Sequence, residues 1–235
     1  MKVCWLGQAG YRITTDNGTV IVIDPYMSDS LLEKNGESYK REVPIDQEIL
    51  HGHTDVLIMT HNHADHMDFG TLDAMMNVDP MQILCPMSVF HPVRNRYWGA
   101  HNYAQFENGI ETELFGVRFS AVYAAHTDEK AIGVVIEADG KVLVHTGDTM
   151  YHRALKGAYP AKPDALLVPI NGKGCNMNAR DAARLTKEVG PKKVFPMHWD
   201  MFKAFGCDVS EFTECFAGND EIETVIPQYY ADIEI

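Results

Sequence analysis

The chain has few basic side chains and no long apolar run. Its 20 lysines and arginines are outnumbered by 33 aspartates and glutamates, which gives 235 residues a formal net charge of −13. A field of this sign repels nucleic acids and anionic membranes, so we expect neither as a partner. No apolar run approaches the roughly 18 residues of a membrane-spanning helix. The first 25 residues also lack the apolar segment of a secretion signal, and we therefore expect a cytoplasmic protein.

Cysteine is also scarce, and linker-like segments are missing. The five cysteines are odd in number and scattered, so we expect reduced thiols rather than a disulfide framework. No Pro/Gly/Ser-rich stretch, repeat or low-complexity tract divides the chain. We therefore expect residues 1–235 to form a single domain.

Short apolar runs separated by turn residues are the main pattern that is present. They predict strands near 3–6, 11–14, 20–23, 56–59, 83–85, 116–123, 131–138, 141–145, 165–169 and 193–196. The spacing also predicts a helix over 69–77, a helix after 83–85 that Ser88 caps, and a helix over 178–188. The Asp139-Gly140 pair predicts a hairpin. This alternation indicates an α/β (α+β) fold with strands inside and helices outside.

The most informative motif is Thr60-His61-Asn62-His63-Ala64-Asp65-His66, which follows the predicted strand at 56–59. Side chains two residues apart in an extended segment point the same way, so His61 and His63 can share one metal ion. Asp65 and His66, around the bend, can then address a second ion. A histidine-rich polar loop without a function is the alternative, but crowded imidazole and carboxylate groups would then be left uncompensated.

Three further candidate ligands follow later predicted strands. They are His126, Asp148 and His198. Loops that leave the strands of a rigid scaffold commonly carry functional residues. One such residue alone is more often a packed or surface residue, but together with the motif at His61 they favour a metal site.

These positions resemble the ordered pattern HxHxDH, His, Asp, His of the metallo-β-lactamase superfamily. The resemblance implies a four-layer αββα sandwich. It also implies that His61, His63 and His126 hold one metal ion, that Asp65, His66 and His198 hold the other, and that Asp148 bridges both. Shorter segments, Leu6 to Ile13, Ile23 to Tyr26, His145 to Thr149 and Pro196 to Phe202, are similar to the L-ascorbate-6-phosphate lactonase-like branch.

The donor set predicts two divalent metal ions. Five imidazoles and two carboxylates without cysteine suit zinc, manganese or iron. The resemblance favours manganese, with zinc as the second choice. Two such ions activate a bridging hydroxide and polarise a carbonyl, which is sufficient to open a lactone. Asp65 is then both a ligand and the acid/base that passes a proton to the leaving alkoxide.

Supporting residues are predicted with open alternatives. Asp24, Asp68 and His145 are candidates for fixing the ligating imidazoles; Asp68 alternatively sits in the first turn of a helix, and His145 alternatively packs at a strand end. Asn171 and Lys173, in a glycine-rich loop, are candidates for binding an oxyanion or a phosphate, or else form a solvated turn.

The expected function is thus a metal-dependent hydrolase that opens a lactone, such as a sugar-lactone phosphate. A phosphodiesterase of the same fold is an alternative, because paired metal ions also bind phosphoryl groups. A metal-binding scaffold without activity is the non-enzymatic alternative. The expected partner is a small molecule. A homo-oligomer stays open, since the aromatic segment with Tyr97, Trp98, Tyr103 and Phe106 fits an interface, a pocket wall or a core.

Overall fold

Two β-sheets face each other in the computed structural model, which describes residues 1–235. The first sheet contains β1 (Lys2–Gly7), β2 (Gly10–Thr14), β3 (Val20–Ile23), β4 (Val56–Ile58), β5 (Gln82–Cys85), β6 (Asn102–Gln105) and β14 (Asp232–Glu234), in the order β14-β1-β2-β3-β4-β5-β6. The second contains β7 (Glu111–Leu114), β8 (Val117–Tyr123), β9 (Ile132–Ala138), β10 (Lys141–His145), β11 (Ala165–Pro169), β12 (Lys193–Met197) and β13 (Glu223–Thr224), in the order β13-β12-β11-β10-β9-β8-β7.

Helices cover the outer face of both sheets. The helices are α1 (Ser30–Asn35), α2 (Gln47–Leu50), α3 (Phe69–Met75), α4 (Met87–Arg96), α5 (Leu155–Ala158), α6 (Ala179–Val189) and α7 (Ser210–Glu214), with a 3-10 turn at Glu37–Tyr39. One apolar core joins the first sheet to α2, α3 and α4, and another joins the second sheet to α5, α6 and α7. A third core fills the space between the sheets. The predicted four-layer αββα sandwich is therefore confirmed.

Strand periodicity explains how one strand serves two cores. In β1, Val3 and Trp5 belong to the core between the sheets, whereas Cys4 and Leu6 belong to the core under the helices. Successive side chains of a strand point to opposite faces, so a strand buried on both faces is apolar throughout. This is why β1 and β11 appear in the sequence as continuous apolar runs.

The strand directions bring seven loops to common sheet edges. In the first sheet β1 and β3 are both antiparallel to β2, and β3 runs parallel to β4. In the second sheet β8 and β10 are both antiparallel to β9, and β10, β11 and β12 run parallel. The carboxyl ends of β1, β3 and β4 therefore lie at one edge of the first sheet, and those of β8, β10, β11 and β12 at one edge of the second. Every predicted metal ligand follows one of these strand ends.

The predicted strands and the helices over 69–77 and 178–188 are confirmed to within two residues, with one correction at α4. Asn178 caps α6 by accepting a hydrogen bond from the backbone N–H of Asp181. Asp139 and Gly140 both adopt positive φ in the turn between β9 and β10.

The prediction that Ser88 caps the helix after β5, which is α4, is wrong. Pro86 is the residue before its first turn, and the Ser88 hydroxyl instead donates to Asp128.

The aromatic segment is divided between core and surface. Phe106 is buried between the two sheets, and Tyr97 and Tyr103 pack against the core under α4. Trp98 is 69% exposed and lies under the guanidinium of Arg94. None of the helices combines the length and the apolar character needed to cross a bilayer.

Candidate metal centre

The loop after β4 and three strand-end loops of the second sheet converge on one cluster of imidazoles and carboxylates. Three groups of three donors are each close enough to hold one ion, with the ligand atoms of a group within 4.8 Å of one another. The first is His61, His63 and His126, the second is Asp65, His66 and His198, and the third is Asp24, His61 and His66. The first and second groups are those that the resemblance implies.

The first group presents three ring nitrogens to a common point. Nε2 of His126 lies 3.1 Å from Nδ1 of His63. His61 is fully buried, and its Nε2 has no hydrogen-bond partner. A buried ring nitrogen without a partner is costly unless it binds something.

The second group also has ring nitrogens at the spacing of metal ligands. Nε2 of His198 lies 3.3 Å from Nε2 of His66, and a tetrahedral ion with metal–nitrogen distances of about 2.0–2.1 Å separates its nitrogens by roughly this much. Oδ1 of Asp148 lies 2.8 Å from the same His198 nitrogen yet makes no hydrogen bond. The unpartnered atoms of His61 and Asp148 therefore fit divalent cations.

Asp148 is held between the second group and an asparagine. Its Oδ2 lies 3.4 Å from Nε2 of His66 and accepts a hydrogen bond from Asn176. The preceding Gly147 has a φ of +61°, and a Cβ atom there would lie 2.4 Å from the carbonyl oxygen of Ile132. Only glycine lets this loop pass so close to β9. The bridging role of Asp148 between two ions stays a prediction.

Asp24 contacts one candidate ligand directly and another through Thr60. Its Oδ2 accepts from Nδ1 of His66 at 2.8 Å and from the hydroxyl of Thr60 at 2.5 Å. That hydroxyl lies 3.0 Å from Nδ1 of His61, so it can accept the His61 proton while donating its own. Both rings are thereby turned with Nε2 toward the cluster. Because both Asp24 oxygens already accept hydrogen bonds, we assign it to orientation rather than to metal binding.

His126 is oriented by backbone alone. Its Nδ1 lies 3.2 Å from the carbonyl oxygen of Cys175. Cys175 lies in the loop between β11 and α6 and adopts a left-handed φ of 65°. No sequence motif marks a carbonyl, so this contact is visible only in the structure.

His145 supports the loop rather than an imidazole. Its Nε2 lies 2.8 Å from the carbonyl oxygen of Ala9, and its Nδ1 accepts from the N–H of Gly147 at 3.1 Å. His145 therefore fixes the turn that carries Asp148, and no candidate ligand is among its hydrogen-bond partners. The prediction that it fixes a ligating imidazole is not supported by these contacts.

Asp68 has the structural role that the sequence left open as its alternative. It is the N-cap of α3 and accepts hydrogen bonds from the backbone of Gly70 and Thr71. The hydroxyls of Ser28 and Ser30 also donate to it. None of these partners is a candidate ligand, so the prediction that Asp68 orients one is not supported by these contacts.

Asn171 and Lys173 do not line the cavity at the cluster. The Lys173 ammonium donates to the backbone carbonyls of Ala204 and Gly206. Asn171 is buried, and neither its amide nitrogen nor its oxygen has a partner. Their role as substrate contacts stays a prediction. In the structure, Lys173 connects the 202–206 loop to the loop after β11.

The cavity at the cluster is lined by residues that sequence reasoning missed. It has a volume of about 250 Å³ and opens onto His63, Asp65, Asp148 and His198. The rest of the wall is Leu31, Lys34, Asn35, Tyr39, Ala64, Gly174 and Phe205. Most of these belong to α1 and the following turn, a segment with no motif in the sequence.

The carboxylates set the charge of the buried histidines. Burial lowers the pKa of His66, but Asp148, Asp24 and Asp65 outweigh it and raise this pKa well above 6.5. Burial lowers the pKa of His61 well below 6.5. Burial alone would raise the pKa of Asp148, but His198 and His66 hold it well below its usual range. Without metal, a protonated His66 therefore faces an ionised Asp148.

This charge pattern predicts that metal binding at neutral pH releases a proton. His66 must lose its proton to bind an ion, whereas the buried His61 is already neutral. Since the His66 pKa is raised above 6.5, metal affinity should increase as the pH rises through that pKa. We expect Zn²⁺ titrations near pH 7 in buffers of different ionisation enthalpy to show a net release of protons. A binding enthalpy that does not vary between buffers would contradict the prediction.

The architecture and its His/Asp cluster are those of the metallo-β-lactamase class. The beta-lactamase superfamily domain matches residues 2–198. A UPF0173 protein of Pyrococcus furiosus is 30% identical over 216 residues, which span 90% of this chain and 89% of that protein. A UPF0173 metal-dependent hydrolase of Polynucleobacter asymbioticus is 29% identical, over 93% of this chain and 81% of that protein.

A solved structure is similar over the whole chain. It is a metallo hydrolase of the archaeon Ignicoccus hospitalis, with a TM-score of 0.79 and 22% identity over 100% of this chain and 98% of that chain. At this identity the likeness concerns the fold. The chain therefore belongs to the metallo-β-lactamase superfamily and, within it, to the UPF0173 family of metal-dependent hydrolases.

Proposed function

We propose that the protein opens the ring of a small lactone that carries an anionic group. The observation that supports this is the cavity of about 250 Å³, whose floor is formed by candidate ligands. It is smaller than the roughly 300–1,000 Å³ of pockets for drug-sized ligands. A small molecule fits such a space.

The cavity wall suits a compact ring with a charged substituent. Tyr39 and Phe205 meet edge to face with their ring centroids 5.7 Å apart, and Leu31 and Ala64 add apolar surface. Lys34 also lines the cavity and takes part in none of the protein's ion pairs, whereas the nearby Lys40 pairs with Glu37. An unpaired cation beside a cation-binding centre favours an anionic group. A sugar-lactone phosphate such as L-ascorbate 6-phosphate combines both features.

Lactone opening needs an activated water and a proton for the leaving alkoxide. Two divalent ions bound at the cluster, manganese or zinc in this proposal, would lower the pKa of water and polarise the carbonyl oxygen. Asp65 lines the cavity with a side chain that is 17% exposed, and its Oδ2 accepts a hydrogen bond from Gln8. This leaves Oδ1 to orient a water and to pass its proton to the alkoxide. Asp148, with a buried side chain, stays ionised and balances positive charge.

A substrate panel tests the proposal. The protein, stripped of metal and reloaded with Mn²⁺ or Zn²⁺, is assayed with phosphorylated and neutral lactones, simple esters and bis-p-nitrophenyl phosphate. We expect the phosphorylated lactones to give the largest kcat/KM. Turnover of the phosphodiester alone would establish the phosphodiesterase instead. No turnover of any compound by the metal-loaded protein would favour a scaffold without activity.

Lys34→Gln should weaken binding of the anionic lactones selectively. A hydrogen bond between an exposed ammonium and a phosphate contributes about 1 kcal/mol, so we expect KM to rise about fivefold with little change in kcat. KM for a neutral lactone should stay unchanged. Lys40→Gln removes a lysine from the same segment but outside the cavity, and it should behave as the parent. An equal effect of Lys34→Gln on charged and neutral lactones would contradict an anion contact.

A further inference from the structure

We propose that Gln8 is a positioning residue for the metal centre and orients both Asp65 and His198. Gln8 follows β1 and is 1% exposed. Its side-chain Nε2 lies 3.1 Å from Oδ2 of Asp65 and 3.2 Å from Nδ1 of His198. One amide group thus contacts two of the three donors in the second group.

The backbone of Gln8 is fixed to the same loop. Its carbonyl oxygen accepts hydrogen bonds from the N–H of His198 at 3.2 Å and from Nε1 of Trp5 at 3.1 Å. Trp5 in turn stacks on Trp199 with ring centroids 5.4 Å apart. Both ends of Gln8 are therefore tied to the loop after β12, so a shift of this residue must move His198.

The backbone of Gln8 has an unfavourable conformation that the fold maintains. Its φ is +49°, and that of His198 is +57°. A residue with a Cβ atom adopts this left-handed region only at a cost in free energy. Gln8 and His198 are hydrogen-bonded to each other, and both have this strained backbone conformation. The surrounding contacts must hold such strain in place.

An amide is suited to this position because it can offer either of two groups. A histidine that binds metal through Nε2 carries its hydrogen on Nδ1 and needs an acceptor there. Rotation of the Gln8 amide by 180° exchanges its NH₂ for its oxygen. With the NH₂ in place, Gln8 donates to Asp65 and to an unprotonated Nδ1. With the oxygen in place, it accepts from the Nδ1–H of a metal-binding His198 and no longer donates to Asp65.

Two substitutions separate this role from packing. Gln8→Met keeps the length of the side chain without its hydrogen bonds, and Gln8→Glu keeps an acceptor for His198 but cannot donate to Asp65. Gln8→Met should weaken binding of one ion about 10- to 100-fold and leave the other ion unaffected. Gln8→Glu should restore part of the lost affinity through its acceptor for His198, while kcat of the loaded enzyme stays below that of the parent because a second carboxylate then lies beside Asp65.

The measurement is a Zn²⁺ titration against a chelator of known affinity, with far-UV circular dichroism to establish that each variant is folded. In the parent, the side-chain NH₂ signals of Gln8 in ¹⁵N NMR spectra should shift when Zn²⁺ is added. Gln228→Met, at an exposed position, is the matched control and should bind both ions as the parent does. Equal Zn²⁺ affinities of Gln8→Met and the parent would overturn the proposal.

The titration is independent of the substrate. The proposal rests on the metal-dependent function proposed above, but only the kcat comparison uses its reaction. Zn²⁺ affinities that change as expected in a protein that opens no lactone would support the role of Gln8 and contradict the lactonase. Unchanged affinities in an active lactonase would do the reverse.

Discussion

Replacement of Asp148 by alanine is expected to strip the second metal ion from the protein and to abolish hydrolysis. Asp148 lies 2.8 Å from Nε2 of His198 and 3.4 Å from Nε2 of His66, and its side chain is only 5% exposed. Removing one partner of a buried charged pair costs about 3–5 kcal/mol. Such a loss corresponds to a drop of roughly 10²- to 10⁴-fold in ion affinity.

Metal content after dialysis, measured by mass spectrometry, and kcat/KM of the reloaded protein test this expectation. Asp164→Ala is the matched control, because Asp164 is also a buried carboxylate and pairs with Lys192 at 2.7 Å outside the cluster. This control should lose stability but keep its metal. An Asp148→Ala protein that retains two ions would show that Asp148 is not a ligand.

Asp65→Asn is expected to reduce turnover far more than metal content. The amide keeps the shape and one acceptor oxygen of the carboxylate but cannot take up a proton. General acid–base catalysis contributes about 10²- to 10⁴-fold, so kcat should fall by this order. Metal affinity should fall less, because His66 and His198 of the same group remain.

Single-turnover kinetics at saturating metal separate the two effects. Asp68→Asn is the informative comparison, since Asp68 lies three residues further along and caps α3. Asparagine also caps helices well, so this variant should keep its turnover. Equal turnover of Asp65→Asn and the parent would contradict the acid/base role. A large loss of turnover in Asp68→Asn would support the predicted role of Asp68 in orienting a metal ligand, which its contacts in the structure do not support.

The strands that sequence reasoning found share one property, which is burial on one or both faces. Those it missed are short or exposed: β6 and β7 are edge strands with mostly exposed side chains, and β13 and β14 have two and three residues. The short helices α1, α2, α5 and α7 span four to six residues, too few for a helical period to show. Missing α1 matters most for predicting the site, because α1 forms part of the cavity wall.

For the candidate centre, the sequence indicated the metal-donor residues well. It indicated poorly the residues that orient those donors. HxHxDH, His126, Asp148 and His198 stand out because their side-chain chemistry is unusual after a strand. Asp24 was found, but Asp68 and His145 were given contacts with the ligating imidazoles that they do not make. Gln8 was part of a matched segment without an assigned role. An amide, a hydroxyl or a backbone carbonyl acquires such a role only from the neighbours that the fold supplies.

The sequence by itself determined the class of fold and the donors of the cluster, because apolar periodicity and metal-binding side chains are local properties of the chain. The tertiary structure alone decided which donors group together, which residues orient them and which form the cavity. Gln8 and His198 are 190 positions apart, yet they meet because β1 and β12 end at neighbouring sheet edges. Lys34 reaches the cavity in the same way, through the path of α1 over the cluster. Such proximity depends on how distant segments pack, and no local pattern encodes it.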